Sequence, residues 1–414
     1  MPPLSGFSQS KSLVLSLFVD NRQFEGLASM DAILSDARPG SDLSTIVFGQ
    51  SGSTLYGVYK AVDTILSIVS QANGDSTVQG SSKDGTVSAK TGRGDDTIEL
   101  RAEAVGRVSS GAGDDTVDIM TRAGNSPSEK SPPLDSIYGV YSGRGDDTIS
   151  IDSDGSVDLV DSGEGDDRIS IDHAYPSGSP GAPRDRLTVT RVLAGAGDDS
   201  VSIKTEGDVF AVDGGSGNDE IDIVANSVAA VEGGDGADTI RIDAEAAFGV
   251  MGGDGDDEIY IKGSGSFING GAGNDRIVFE GKGNMKYASS VVVGQGHDLI
   301  ETDEAIVLHG LTDKSDFFDL SRLTFSRISA DTVTIAIDGG EASVSVRFNG
   351  PMKETEELEF EMDSAGGLLI RSAGDTIQSS FKKSFSFNRE TLTVEEHLPE
   401  RVVLQMPTTI TRNV

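Results

Sequence analysis

Residues 252–261 read GGDGDDEIYI, and nine near-copies of this phrase recur along the middle of the chain. The other copies read TGRGDDTIEL (91–100), SGAGDDTVDI (110–119), SGRGDDTISI (142–151), SGEGDDRISI (162–171), AGAGDDSVSI (194–203), GGSGNDEIDI (214–223), GGDGADTIRI (233–242), GGAGNDRIVF (270–279) and VGQGHDLIET (293–302). Successive copies begin 18–23 residues apart, except for two longer steps of 32 residues. Internal repetition at a period near 20 residues predicts a solenoid in which each repeat forms one coil.

Two columns of apolar residues flank the phrase and predict two strands in each coil. An apolar–x–apolar pair follows the glycines, as in Ile149/Ile151, Val201/Ile203, Ile221/Ile223, Ile240/Ile242 and Ile259/Ile261. A second column stands two residues before the phrase, at Val108, Val140, Val160, Val192, Val212, Val231, Val250 and Ile268. Alternation of β-branched residues with period two is typical of strands. We therefore expect two parallel sheets that bury Val and Ile ladders, with coils stacked about 4.8 Å apart.

Composition and charge indicate a bound cation. The chain of 414 residues has a formal net charge of −35, 52 Gly and only 36% apolar residues. This charge repels nucleic acid and anionic membrane surfaces, so nucleic-acid binding is not expected, and it would favour disorder without a counterion. Because the chain has no Cys, the metal must be a hard cation held by oxygen, and calcium fits best.

The pattern Gly-Gly-x-Gly-x-Asp-x-apolar resembles the calcium-binding nonapeptide of RTX (repeats-in-toxin, haemolysin-type) secreted proteins. The resemblance covers roughly half of the chain. It implies an extracellular protein whose all-β fold is a right-handed parallel β-roll. RTX arrays usually repeat the motif about every nine residues and carry calcium turns on both edges. Here the motif occurs once per coil, which predicts one calcium-binding edge with several ions, up to about nine.

In the RTX family the sixth motif residue contributes its carboxylate, and the turns of neighbouring coils share each ion. Carried over copy by copy, the predicted metal residues are Gly92, Gly94, Asp96; Gly111, Gly113, Asp115; Gly143, Gly145, Asp147; Gly163, Gly165, Asp167; Gly195, Gly197, Asp199; Gly215, Gly217, Asp219; Gly234, Gly236, Asp238; Gly253, Gly255, Asp257; Gly271, Gly273, Asp275; Gly294, Gly296 and Asp298. The fifth position is Asp or Asn except at Ala237 and His297. We expect it to adopt the left-handed conformation that such residues tolerate.

The flanking segments predict caps on the roll. Residues 1–72 have helical apolar spacing near Phe24–Ala37 and Thr54–Ser70, which predicts a small helical or mixed N-terminal cap before a roll over 73–300. Longer strands with Gly turns predict an antiparallel β cap over 301–374. Residues 375–414 read as an amphipathic or disordered tail that is a candidate type I secretion signal. The apolar run Leu13–Val19 is too short to span a membrane.

Two classes of function remain open. One is a structural, adhesive or binding protein at the cell surface or in the medium; the other is a calcium-dependent polysaccharide lyase or epimerase on a β-solenoid. Neither HExxH nor GxSxG occurs. The candidate catalytic residues are the central residues of three consecutive strands, Asp222, Arg241 and Tyr260, because Arg and Tyr beside carboxylates can bind uronic acids and abstract their protons. A third hypothesis is a secreted effector whose N-terminal segment carries the activity.

The two long steps each insert about a dozen residues into a coil. The insertions are Gly124–Leu134 and His173–Arg184. Both leave the roll at the corner opposite the motif and two coils apart, so their bases lie about 10 Å from each other. They are either tolerated surface insertions or, with Lys130, Tyr175, Arg184 and Arg186, a candidate binding patch for a glycan or a protein partner.

Overall fold

A computed structural model describes the chain over residues 12–18, 43–49, 55–61, 65–70, 73–82, 85–121, 137–173, 188–281, 288–311, 323–327, 331–337, 342–349, 357–362, 367–372, 384–388, 393–397 and 401–405. The chain comprises two compact units, residues 1–212 and 213–414. The described residues are all β, and they include a parallel β-solenoid of about ten turns. None of them belongs to a helix long and apolar enough to cross a bilayer.

The strands are short and follow one another at nearly regular intervals. The first unit contains β1 (Ser12–Phe18), β2 (Leu43–Gly49), β3 (Leu55–Ala61), β4 (Ile65–Ser70), β5 (Ser76–Ser82), β6 (Thr86–Lys90), β7 (Thr97–Ala102), β8 (Ala104–Ala112), β9 (Thr116–Thr121), β10 (Ile137–Arg144), β11 (Thr148–Ser153), β12 (Val160–Glu164), β13 (Arg168–His173), β14 (Thr188–Ala196) and β15 (Ser200–Thr205). The unit boundary falls within β16 (Asp208–Ser216).

The second unit has the same strand rhythm, followed by a different arrangement near its C-terminal end. Its strands are β17 (Glu220–Val224), β18 (Ser227–Asp235), β19 (Thr239–Asp254), β20 (Glu258–Ser266), β21 (Ile268–Ala272), β22 (Arg276–Glu280), β23 (Ser289–Val292), β24 (His297–Thr302), β25 (Ile306–His309), β26 (Leu323–Arg327), β27 (Thr332–Ile337), β28 (Ser343–Phe348), β29 (Glu357–Met362), β30 (Leu368–Ser372), β31 (Ser384–Asn388), β32 (Thr393–His397) and β33 (Arg401–Gln405).

Each coil consists of a strand that follows the motif, a corner, and a return strand that runs into the next motif. Strands of like kind pair in parallel, so β11 pairs with β9 and β13 in one sheet, while β10 pairs with β8 and β12 in the other. The registers place identical motif positions opposite each other, such as Ile149 beside Ile169 and Gly143 beside Gly163. We call each coil level a rung.

The core lies between the two sheets, as the apolar columns predict. All eight residues of the column before the motif, from Val108 to Ile268, have at most 1% of their surface exposed. The Ile pairs after the motif are equally buried, with Ile149 and Ile151 each 1% exposed. The core is therefore a thin double ladder of β-branched side chains, which the repeat alone was enough to predict.

One part of the cap prediction was wrong. Within Thr54–Ser70, which has helical apolar spacing, the structure has strands β3 and β4, and these pair in parallel with β5 and β6. Parallel pairing with the stack outweighs the local helical pattern there. The segment Phe24–Ala37 lies outside the described residues. The four-part domain division, with its boundary at residue 72, stays a prediction.

The antiparallel C-terminal cap is present. β26 pairs with β27, β27 with β28, β29 with β30 and with β33, all antiparallel, while β28 continues the parallel stack on β24. The tail after residue 375 contains an antiparallel pair of strands, β31 and β32, so it is not wholly irregular. Most of both insertions lies outside the described residues, and the candidate binding patch on them stays a prediction.

Candidate metal-binding edge

The turn that carries the motif is formed by glycines in a conformation that other residues rarely adopt. In the eight interior copies, the glycines at the second and fourth positions have φ between 107° and 142°. In the first copy, the fourth-position glycine, Gly94, has a φ of 102°. At both positions the carbonyl oxygen of the preceding rung lies against the glycine Cα, so that a methyl group on Gly143 would overlap Gly111 O. Glycine is therefore required at each turn both for its φ and for the close approach of the next rung.

The sixth motif residue is a buried Asp in every copy. All ten of these side chains have between 1% and 5% of their surface exposed. Each Oδ1 whose contact is described accepts a hydrogen bond from a backbone N–H of the preceding rung. Asp115 Oδ1 accepts from Asp96 N at 2.7 Å, and Asp147 Oδ1 accepts from Asp115 N at 2.7 Å. In the second unit Asp257 Oδ1 accepts from Asp238 N at 2.8 Å. The carboxylates thus form a ladder of charge-assisted hydrogen bonds along each unit.

The second oxygen of the carboxylate is buried without a partner in six of the interior copies. Oδ2 has no hydrogen-bond partner in Asp115, Asp147, Asp167, Asp238, Asp257 and Asp275. An unsatisfied buried carboxylate oxygen is costly, and native proteins contain few such atoms unless an ion or a ligand approaches them. A regular column of them therefore points to a positive group that the protein chain does not itself supply.

The same burial changes the acidity of these groups. Burial raises the pKa of Asp147 to about 7, and the neighbouring carboxylates of Asp115 and Asp167 raise it further, against hydrogen bonds that lower it. Burial and the flanking charges likewise raise the pKa of Asp257 to about 7. Burial raises the pKa values of Asp115 and Asp298 to about 6. The protein alone therefore does not stabilise the charged form of this column.

The first and last copies differ from the interior ones. Gly92 and Gly294 do not adopt a positive φ. In the first copy, Asp96 Oδ2 accepts a hydrogen bond from Gly92 N at 3.3 Å, and in the last copy the Gly294 N–H faces the Asp298 carboxyl and lowers its pKa. In the end turns the N–H of the second glycine thus contacts the carboxylate, whereas the interior Oδ2 atoms named above have no hydrogen-bond partner.

The fifth motif position has a role that the sequence did not predict. Only Ala230 and Phe267 have a positive φ among the described non-glycine residues, so the expectation of a left-handed conformation at position five was wrong. Instead its side chain accepts a hydrogen bond from position five of the following rung, as Asp146 N donates to Asp114 Oδ1 at 3.0 Å. Asn serves equally well, because Ala237 N donates to Asn218 Oδ1 at 3.0 Å. Asp and Asn recur there because both are short acceptors.

The first motif position distinguishes the two units. In the first unit its hydroxyls form a second ladder: Ser142 Oγ donates to Ser162 O at 2.9 Å, and Ser162 Oγ donates to Ala194 O at 2.7 Å. In the second unit this residue is Gly in four copies. There Asp238 Oδ2 and Gly252 O both lie where a side chain on Gly233 would stand. The change from Ser to Gly was visible in the sequence, but its contact with the carboxylate was not.

The oxygens of this edge fit a hard cation. Among the described residues no group of three or more His, Cys, Asp or Glu side chains converges as a metal site, so a site must combine single carboxylates with backbone carbonyls. The turns offer both, since six interior carboxylates keep one oxygen without a hydrogen-bond partner and backbone carbonyls lie against the turn glycines. An all-oxygen donor set with flexible geometry suits Ca²⁺ better than a transition metal. The predicted calcium ladder stays a prediction.

The candidate catalytic column is brought together on the outer face of the second unit. Asp222, Arg241 and Tyr260 stand opposite one another in register. Arg241 is ion-paired with Glu220 at 2.7 Å, and the phenol of Tyr260 donates to Glu258 at 2.6 Å. The hydrogen bond to Glu258 and burial raise the pKa of Tyr260. Tyr260 is therefore poorly suited to act as a base, and the cluster has the contacts of an exposed ion-pair network.

No protein-family model matches this chain, and no curated protein matches it either.

Proposed function

We propose that this chain is a secreted, calcium-dependent β-solenoid protein of the RTX type, which acts as a structural, adhesive or binding protein at the cell surface or in the medium. The observation that carries the proposal is the column of buried Asp side chains whose Oδ2 atoms have no partner within the protein. Calcium, when bound, would supply the positive charge that these carboxylates lack.

The proposed ligands come from the turns alone. The sixth-position carboxylates, Asp96 to Asp298, and the carbonyls of the glycines at positions two and four would hold the ions, with neighbouring rungs sharing each one. A net charge of −35 supports the proposal, because stacked carboxylates repel one another unless cations lie between them. Extracellular calcium modules bind with dissociation constants of about 10⁻⁴ to 10⁻³ M, which suits millimolar calcium outside cells.

The test is a calorimetric titration of calcium into metal-free protein, with magnesium as the comparison ion. The variant Asp147→Asn/Asp167→Asn removes two inward carboxylates and keeps their shape. We expect it to lower the number of ions bound. The matched control is Asp146→Asn/Asp166→Asn, which changes two exposed fifth-position residues and keeps their acceptor oxygen.

We expect the control to bind as many ions as the unaltered chain. Absence of calcium binding, or equal loss of ions in both variants, would refute the proposal.

The lyase or epimerase alternative is a separate proposal. It rests on the groove of about 410 Å³ lined by residues that include Asp222, Arg241 and Tyr260. Its test is incubation with acidic polysaccharides in calcium while the ultraviolet absorbance of unsaturated products is followed. No product, or product formation that persists in Tyr260→Phe/Arg241→Gln, excludes this column as a catalytic site.

A further inference from the structure

The return sheet of the first unit presents a surface that differs from the rest of this acidic protein. Its outward residues on four consecutive return segments include Arg107, Tyr138, Tyr141, Leu159 and Arg191, which we call the basic–aromatic strip. Arg107 and Arg191 are exposed, and the ring of Tyr138 is 52% exposed. Tyr141 lies under the Arg107 guanidinium, with 4.2 Å between the guanidinium carbon and the ring centre.

The two strip arginines have no acidic partner among the described residues, whereas five other described arginines do. Five described arginines are ion-paired with carboxylates at 2.5–3.6 Å, and these are Arg101, Arg144, Arg241, Arg276 and Arg347. Within the described part of the chain, neither Arg107 nor Arg191 makes an ion pair. In a chain with 68 acidic and 33 basic residues, an arginine without a carboxylate partner leaves its guanidinium donors available to an external anion.

The layout of the strip favours a long ligand over a compact one. Arg107 lies beside Gly139 on the next rung. Val140 of that rung is followed by Val160 and Val192 on the two rungs after it. Arg191, which directly precedes Val192, is therefore three rungs from Arg107. At about 4.8 Å per rung this is about 14 Å along a straight sheet face. Asp158 and Asp161 lie between them on the third rung, which leaves the positive charge at the two ends. A linear chain with repeated anionic groups matches this spacing.

The strip also disfavours an added peptide strand. β8 is hydrogen-bonded to strands on both sides, β6 and β10, and β12 lies between β10 and β14. Because these backbone groups are paired, a peptide cannot join the sheet here by β-augmentation. A ligand must be recognised by side chains, through guanidinium contacts to anions and through the exposed ring of Tyr138 against an apolar face.

We propose that the basic–aromatic strip binds an anionic polysaccharide, with Arg107 and Arg191 holding carboxylate or sulfate groups and Tyr138 packing on a sugar ring. This inference names the ligand of the proposed binding function and rests on it. The ligand would be bound without chemical change.

The experiment uses the full chain in calcium and three probes with one backbone: dextran sulfate, carboxymethyl-dextran and uncharged dextran. Binding is measured by biolayer interferometry at two salt concentrations. We expect saturable binding of the two charged dextrans, weakened by salt, and none of the neutral one. Arg107→Gln/Arg191→Gln should weaken binding about 10-fold for each arginine lost, and Tyr138→Ser about 5-fold.

The matched control is Arg168→Gln/Lys204→Gln, which removes the same charge from exposed, unpaired residues on the outer face of the other sheet. The control should bind within about 2-fold of the unaltered chain. Equal weakening in both double variants, or no binding of either charged dextran, overturns the proposal. Equal affinity for polyglutamate overturns the assignment to a polysaccharide.

Circular dichroism of the same samples with and without calcium separates the two proposals. If calcium does not stabilise the fold and the charged dextrans still bind, the calcium proposal fails and the strip stands. If calcium stabilises all variants and dextran binding is absent, the polysaccharide proposal for the strip fails and the calcium proposal stands.

Discussion

The interior and the end copies of the motif have nearly the same sequence but satisfy their carboxylates differently. At the first end, Asp96 receives a hydrogen bond from Gly92 of its own turn, in addition to the one that Ser76 N donates to its Oδ1 at 2.6 Å. In the interior, Asp147 and Asp257 each keep one oxygen without a partner. The second glycine of the motif also differs in φ between the two kinds of copy. Its φ is 120° at Gly143 in the interior, whereas Gly92 of the first copy does not have a positive φ.

In both end turns the N–H of the second glycine contacts the carboxylate of its own turn. The carbonyl of the preceding rung does not account for this difference, because it lies against Gly294 of the last copy as closely as against the interior glycines. An end turn, with a regular motif on one side only, closes on its own carboxylate. A shared ion would therefore be bound by pairs of interior rungs.

Removal of calcium should affect the interior most and should cause the largest change. Without the ion, the interior column keeps buried like charges and a small apolar core, so the roll should lose its cooperative fold. Circular dichroism in excess chelator should show loss of β signal and its return when calcium is added. Unchanged β content and melting temperature in excess chelator would show that the interior turns need no ion to fold.

Substitution of a second glycine should be severe in the interior and mild at the end. Gly143→Ala places a methyl group against Gly111 O at a φ of 120°, and we expect a loss of about 3 kcal/mol or more in unfolding free energy. Gly92→Ala, at a position without a positive φ, should cost less than about 1 kcal/mol. Urea denaturation in calcium measures both. Similar losses would show that the end turn is as constrained as the interior.

Loss of a carboxylate should follow the same order. Asp147→Ala removes the oxygen that accepts a hydrogen bond from Asp115 N, and it removes one proposed ion ligand. We expect the unfolding free energy in calcium to fall by roughly 2 kcal/mol. Asp96→Ala should cost about half as much, because an end ion would be shared with only one regular rung. The midpoint of calcium-dependent unfolding is the measurement. Equal midpoints in the two variants would argue against sharing between rungs.

The pH dependence of the calcium-free protein should have the sign set by the raised pKa values. The folded pKa of Asp147 is about 7 against 3.8 when unfolded. Folding therefore favours the protonated carboxyl group. Its contribution to the free energy of unfolding is complete below about pH 4 and is lost as the pH rises through about 7. In metal-free buffer, the fold that is lost at neutral pH should therefore be recovered at low pH, and its melting temperature should fall as the pH rises from about 4 to about 7.

Asp147→Asn is the matched variant for that measurement, since it cannot titrate and keeps its acceptor oxygen. Its melting temperature should fall less steeply over the same range. A melting temperature that rises with pH in the absence of calcium would show that the carboxylates are stabilised by the protein alone.

The repeat predicted most of the fold because a solenoid places each residue against its own copy. Val160 meets Val140 and Val192, and Ile149 meets Ile169, so the apolar columns in the sequence are the core itself. The same reasoning failed at Thr54–Ser70, where no copy of the motif indicated the register and a helical spacing suggested the wrong element. Strands β3 and β4 form there because they can pair with β5 and β6.

The site was predicted in its residues but not in its contacts. The ten buried Asp and the glycines at their positions follow from spacing alone. The opposite directions of the two hydrogen-bond ladders do not: position six accepts from the preceding rung, and position five accepts from the following one. Spacing shows which residues are stacked, but it does not show which way each side chain leans.

The period, the two apolar columns, the glycine turns and the acidic edge could be predicted from the sequence, because each is a local pattern repeated at every rung. The folded structure was needed to show which carboxylate oxygens lack a partner, how the end turns differ from the interior, and which described arginines make no ion pair. Those properties depend on the neighbours that stacking brings within hydrogen-bond distance. Arg107 and Arg191 each stand three residues before a motif, so the repeat places them in one column, but their lack of an acidic partner within the described residues could be seen only in the fold.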